Sequence, residues 1–343
     1  MTDAVRERYD RFAREEAPGR SAVYAEWAAG VAADAEMQTL LSGIPEQHRQ
    51  PPLVFAVTRL LGAPLAGYAD WRTFVLAHAG EIVSECARRT VQANEPLRLA
   101  ALLPALSAID GPVALLELGA AAGLCLFPDR YSYRFLGEDG AERTRLDPAS
   151  GPSSVVLTSA VRGTLPPLRM PEVVWRAGID LSPIDVQDAA DRAWLETLVW
   201  PGEDVRAERI AAAADIVAAD PPLLLAGDAA QRLGELVASA PPQATLVITT
   251  PGVLVYLPRE ARKALIGAIR SSGGRWVTID PVRLHEGWSS GEGWSSGEGW
   301  SSGEGSSGVD GAFAVGLDGD QVADADPLGR WWEWRAGVGP DRA

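Results

Sequence analysis

The residue types and spacing best suited to ligand chemistry lie in Glu117-Leu118-Gly119-Ala120-Ala121-Ala122-Gly123, which closes the apolar run Val113–Leu118. A strand that ends in small residues lets its backbone approach a ligand closely, because no side chain intervenes. A dinucleotide fingerprint asks for small residues at 119, 121 and 124, with glycine preferred at each. Position 124 is leucine and the last glycine is Gly123, so the nicotinamide-type spacing fails. What remains is a cradle for another nucleotide-like cofactor, contacted at Gly119, Ala121 and Gly123. A helix beginning after Gly123 would add a favourable site for a ligand carboxylate.

A ribose calls for a carboxylate at the end of the next parallel strand. Asp180 in WRAGIDLSPIDV is the expected residue, unless it only caps a helix, with Asp185 in reserve. The gap from the glycine turn is longer than the twenty or so residues usual for such folds, so residues 127–171 are expected to form an insertion. Within it, YSYRFLGEDGAERTRLD reads as a hairpin. Asp228 after the third strand either meets an adenine amino group or caps the following helix. Arg130 and Tyr131 follow the glycine turn and are expected to face the same cleft, where Arg130 would suit an anionic substrate. Three histidines and two cysteines show no metal-ligand spacing, and no Ser-His-Asp or Cys-His set is legible.

The elements that must position these residues divide the chain. Residues 1–110 read as an all-helical N-terminal domain: Tyr24, Trp27 and Val31 follow a Ser21 cap, and Pro51-Pro52 suit a first helical turn. Further helices are expected over Trp71–Thr90 and Pro96–Ile109. Residues 111–343 read as an α/β domain with strands at Val113–Leu118, Val173–Leu181, Leu223–Ala226, Thr245–Thr249 and Arg275–Ile279. Helices are expected at Ala189–Val199, Ala207–Ala219, Ala229–Ala238 and Arg259–Ser271. That rhythm implies a parallel sheet. Ala312–Val315 and Gln321–Ala323, flanking Asp318-Gly319, predict a C-terminal antiparallel hairpin, with Trp331–Trp334 as a further extended segment.

Between sheet and hairpin, residues 286–308 repeat EGWSSG, a composition expected to give a flexible loop. The G-x-S-x-G matches inside it, and G-x-G-x-x-G at Gly303–Gly308, lack the strand and helix those motifs need. In a chain of 343 residues the net charge is −15, which disfavours nucleic acid as a partner. A polar N-terminus and interrupted apolar runs lead to the expectation of a cytoplasmic protein with a small-molecule substrate and no membrane partner.

The turn also fits the pattern acidic-x-Gly-x-Gly-x-Gly, with Ala121 in the middle place, and so resembles the first signature of class I S-adenosylmethionine methyltransferases. Together with TVQANEPLRLAALLPAL (90–106), LLELGAAAGLCLFPDRYSYRF (115–135), WRAGIDLSPIDV (175–186), LVWPGE (198–203) and LDGDQVADADPLGRWWEW (317–334), it resembles an uncharacterised bacterial family, the domain of unknown function numbered twenty-three thirty-two. That family is itself similar to those methyltransferases. The resemblance implies a Rossmann-like sheet, S-adenosylmethionine as cofactor, and Glu117, Gly119, Ala121, Gly123, Asp180 and Asp228 as its contacts. Asn94 and Glu95 would then lie in a lid over the methionine end, unless they only cap the next helix. Thr249-Thr250 stand where relatives carry a histidine, and Thr250 would border the substrate. Methyl transfer needs mainly positioning, so no dedicated catalytic residue is expected. Alternatives are a fold that binds the cofactor for other chemistry, and a non-catalytic interaction protein.

Overall fold

Apolar periodicity and capping chemistry shape the first elements. A computed structural model of the chain describes residues 2–92, 94–290 and 312–335. The chain forms two units; the first holds residues 2–92 and 187–208, and the second holds 94–186, 209–290 and 312–335 among the described residues.

The helices are α1 (Thr2–Arg11), α2 (Ala22–Ala33), α3 (Ala35–Leu41), α4 (Pro51–Leu60), α5 (Tyr68–Ala77), α6 (Ala79–Arg88), α7 (Arg98–Ser107), α8 (Ala189–Thr197), α9 (Asp204–Ala219), α10 (Ala229–Ser239) and α11 (Arg259–Ser271). In the first unit, Ser21 Oγ accepts the Tyr24 N–H and caps α2, while Pro51 and Pro52 open α4. The stretch 71–90, expected as one helix, is two. It breaks at His78, which adopts a non-helical conformation and accepts no side-chain capping role. The core of this unit is aromatic: Trp27 stacks on Trp71 at 5.2 Å, and Phe55 meets both edge-on. Arg59 ties α4 to the α8 end, its Nη1 donating to the carbonyls of Thr197 at 2.9 Å and Val199 at 2.6 Å.

Among the described residues, the second unit is built on an eleven-stranded sheet. Its strands are β1 (Pro112–Leu118), β2 (Ser132–Leu136), β3 (Glu142–Leu146), β4 (Val156–Arg162), β5 (Glu172–Asp180), β6 (Leu223–Ala226), β7 (Thr245–Pro251), β8 (Arg275–Pro281), β9 (Phe313–Leu317), β10 (Asp320–Ala325) and β11 (Trp331–Trp334). The order across the sheet is β3-β2-β4-β11-β10-β9-β8-β7-β1-β5-β6, and β6-β5-β1-β7-β8 is a continuous parallel block. The expected hairpin is β9–β10, pairing antiparallel, with β9 also antiparallel to β8. The molecule is therefore a mixed α/β protein with a large, mostly parallel sheet.

The central strand β1 is buried from Val113 onward, as a run covered on both faces must be. One face packs Leu116, Leu118, Ala177, Ile179, Ile248 and Trp276 beneath α10 and α11. On α7 every residue is buried, and the helix contacts β4, β8 and β9. Residues 127–171 do contain the β2–β3 hairpin. They also contain β4, which joins β2 on one side and the C-terminal β11 on the other, both in parallel. The crossover from β1 to β5 thus carries strands and no α-helix. Among the described residues, no helix is long and apolar enough to cross a membrane. Most of the EGWSSG repeat, including Trp294 and Trp300, lies outside the described residues, as does GEGSSG at 303–308.

Candidate functional site

The strand order reverses beside β1: β5 and β6 extend to one side, and the chain then returns to lay β7 and β8 on the other. Such a switch point opens a crevice at the carboxyl ends of the strands. Glu117, Thr249 and Gly178 stand level there, since Glu117 pairs with Thr249 on β7 and Gly178 on β5.

The turn that follows β1 winds through three left-handed residues, Gly119 at φ +78°, Ala121 at +47° and Gly123 at +71°. For alanine this conformation costs about 1–3 kcal/mol, so the surroundings must hold it. They do. The N–H groups of Gly119 and Ala120 both donate to the Ile179 carbonyl, at 2.8 and 3.1 Å. Ala121 N–H donates to Asp180 Oδ2 at 2.9 Å, and Ala122 N–H to Asn94 Oδ1 at 3.0 Å. Gly123 N–H closes on the Ala120 carbonyl at 2.6 Å. Asn94 therefore clamps the glycine turn; it does not cap α7, whose N-cap is Leu97 without a side-chain bond.

One expectation is corrected here. No α-helix starts after Gly123; Leu124–Leu126 make a single 3-10 turn. Leu124, Leu126 and Phe127 are buried and Pro128 follows at once, so the chain turns into β2 before a helix can propagate. The helix-terminus carboxylate site is therefore absent. The space over Gly119 belongs to the protein as well: a Cβ there would lie 2.7 Å from Val253 Cγ2 and 2.8 Å from Val253 Cβ. Glycine at 119 is required by the loop after β7.

The side chains around this turn are unusually under-bonded. Glu117 is 3% exposed, and its Oε2 has no hydrogen-bond partner. Burial pushes its carboxyl well above the usual range; Arg98 opposes this and Asp180 adds to it. Asn94 Nδ2 and Thr249 Oγ1 are likewise buried and unpartnered. Arg98, itself buried, donates to the carbonyls of Pro251 at 2.9 Å and Pro327 at 3.1 Å. Glu95 is sealed into an ion pair with Arg209 at 3.0 Å and accepts the Leu97 N–H, so it is a structural anchor here.

Asp180 bonds the Ser182 N–H at 2.9 Å through its other oxygen. Asp185 is exposed. Asp228 caps α10 by accepting the Gln231 N–H at 3.2 Å. Arg130 pairs with Asp129 and Asp220, both at 3.6 Å, with half its side chain exposed. Tyr131 is fully buried and donates to the Leu124 carbonyl at 2.8 Å, so its hydroxyl faces the core. Thr250 Oγ1 donates to Thr278 Oγ1 at 2.7 Å and accepts from Trp276 Nε1 at 2.9 Å.

Thr250 leads to a group that the sequence did not disclose. Thr278 donates to Asp280 Oδ2 at 2.5 Å, and His285 Nε2 lies 3.0 Å from the same oxygen. Asp280 is fully buried and its Oδ1 has no partner. The only signal was Asp-x-x-x-x-His across a 3-10 turn, Val282–Leu284, which carries no motif of its own. No group of three or more His, Cys, Asp or Glu side chains among the described residues could hold a metal ion.

The fold and this crevice define a mixed α/β protein with polar side chains gathered at the switch point of its parallel block. The chain belongs to the family described as Uncharacterized protein conserved in bacteria (DUF2332), whose model matches residues 6–334. No curated protein matches it.

Proposed function

We propose that the crevice between β1 and β7 binds S-adenosylmethionine, and that the protein is an enzyme that methylates a small molecule in the cytoplasm. One observation carries the reading: three buried, unpartnered polar atoms, Glu117 Oε2, Asn94 Nδ2 and Thr249 Oγ1, belong to the strand ends and clamp at the switch point. An unsatisfied buried polar group costs about 1–3 kcal/mol, so a ligand that pairs with several is favoured. With β2–β4 set aside, the parallel block runs in the chain order 3-2-1-4-5, the order of Rossmann-like nucleotide-binding sheets.

The residues fit this cofactor at its two ends. Asp180 would meet the ribose hydroxyls; its oxygens accept the Ala121 and Ser182 N–H groups, and a carboxylate oxygen can accept more than one bond. Asn94 and Glu117 would meet the amino-acid end through their unpaired atoms. Asp228 would meet the adenine amino group. When bound, the cofactor supplies a sulfonium methyl group. The protein's own part is to hold both partners in line and exclude water. Val253 would have to leave the face of Gly119 on binding.

That closed turn favours a second reading, in which the turn is structural and the protein binds no adenosyl ligand. Thermal shift with S-adenosylmethionine, S-adenosylhomocysteine and NAD separates the two. A ligand at about one hundred times its Kd stabilises by about 2.7 kcal/mol. A shift with both adenosyl ligands and none with NAD supports the proposal; no shift with either rejects it.

A further inference from the structure

We propose that Arg98 holds the carboxylate of an acidic small-molecule substrate at the carboxyl end of β7. The inference rests on the reading of the crevice as a methyl-transfer site, and it names the class of the acceptor.

Arg98 opens α7 and is 5% exposed. Its guanidinium is fixed from two sides, with Nε donating to the Pro327 carbonyl and Nη1 to that of Pro251, the last residue of β7. Gly252 lies against its flat face: a Cβ there would stand 3.4 Å from Cζ, Nη1 and Nη2 alike. Both acceptors are neutral, and Arg98 forms no ion pair among the described residues. The acids of the adjoining segments are engaged elsewhere. Glu95 pairs with Arg209, Asp326 with Arg330, and Asp180 accepts two backbone N–H groups. Glu117 feels the charge of Arg98, yet makes no ion pair with it. A guanidinium keeps its charge, and burying it without a counter-charge is costly. The two carbonyls occupy two of its five donors, and Nη2 has no partner among the described residues. A carboxylate supplies both the charge and the acceptor oxygens that this geometry lacks.

Strand order separates this carboxylate from the cofactor's own. Across β6-β5-β1-β7, Asp228 follows β6, Asp180 ends β5 and the glycine turn follows β1. Those three trace the proposed cofactor, whose amino-acid end meets Asn94 and Glu117. The end of β7 stands one strand spacing further on, about 4.8 Å. There Thr249 shares the face of Glu117 and offers its unpartnered Oγ1 as a second donor beside Arg98. Arg130, the cation that the sequence offered for an anionic substrate, is already paired with Asp129 and Asp220. Oxygens engaged by a guanidinium are weak nucleophiles, so this carboxylate orients the substrate and does not itself receive the methyl group.

Side-chain nitrogen NMR of the full-length, 15N-arginine-labelled chain reads the site in the wild type. Sodium acetate, at constant ionic strength, should shift the Arg98 guanidinium signals saturably, and acetamide should not. No response of Arg98 to acetate overturns the proposal. In thermal shift, Arg98→Gln should weaken the acetate-specific stabilisation by about tenfold or more in apparent affinity, with Arg98→Lys recovering part. Equal stabilisation of wild type and a folded Arg98→Gln chain overturns it as well. Saturating S-adenosylhomocysteine should leave the acetate response of Arg98 in place. Loss of that response assigns the guanidinium to the cofactor's own carboxylate and overturns the acidic substrate. A wild-type chain that answers acetate but binds no adenosyl ligand keeps the carboxylate site and rejects the methyl-transfer reading instead.

Discussion

Placing a methyl group on Gly119 perturbs the glycine turn in two separable ways. Gly119→Ala forces an L-residue to φ +78°, at about 1–2 kcal/mol. Its Cβ also falls 2.7 and 2.8 Å from Val253 Cγ2 and Cβ. Overpacking of that kind costs about 1–3 kcal/mol, giving about 2–5 kcal/mol in all. Val253→Gly removes both offending atoms, whereas Val253→Ala would leave the Cβ contact. The double variant should therefore recover the overpacking part and keep the strain. A double-mutant cycle in urea should give a favourable coupling of about 1–3 kcal/mol. The same Val253→Gly change lifts the cover from Gly119 without touching the acids. If an adenosyl ligand must displace that side chain, at about 1 kcal/mol, S-adenosylhomocysteine should bind about fivefold tighter to Val253→Gly. Zero coupling in the cycle would refute the packing argument, and unchanged ligand affinity would refute the displacement.

Other perturbations reach other parts of the structure. Burial raises the Glu117 carboxyl, so the folded chain keeps a proton that the unfolded chain releases above about pH 4.3. The contribution is full below that pH and is lost as pH rises toward the folded value. Urea midpoints of wild type and Glu117→Gln should thus diverge in favour of glutamine from about pH 4.5 toward pH 8; parallel profiles would contradict this. Arg59→Ala strands the Thr197 and Val199 carbonyls and should destabilise by about 2–3 kcal/mol, with Arg59→Lys recovering only part. Gly316→Ala would put a Cβ 2.5 Å from Trp288 Cζ2. It should expel the indole and redden the tryptophan emission, and it should do neither in a Trp288→Phe background.

What the sequence disclosed follows the range of the forces involved. The strand at Leu223–Ala226 and the helix at Arg259–Ser271 have the bounds that periodicity and flanking turns indicate. Asp318-Gly319 marks a real hairpin because its left-handed residues, at φ +56° and +99°, are a local demand. The β4 strand escaped notice because only alternate positions are buried and its partner β11 is remote in sequence. Within the candidate site, the strand-end acids Glu117 and Asp180 were legible from the apolar runs they close. The clamp of Asn94 on Ala122 was not, since a cap and a long-range bond ask for the same residue type. Val253 over Gly119 and Asp280 beside His285 depend on register and loop path, which no residue type announces.

The parallel pairing of Ala160 with Trp331 has a consequence for how the chain is made. During synthesis the β2–β4 strands emerge early, yet one edge of β4 stays open until almost the last described residues leave the ribosome. An open edge is a template for pairing with other nascent chains. A nascent chain stalled within the EGWSSG tract would hold β1 to β8 and lack β9 to β11. Such a product should be captured by chaperones or proteases, so the tract's length is tolerated only if translation runs through it.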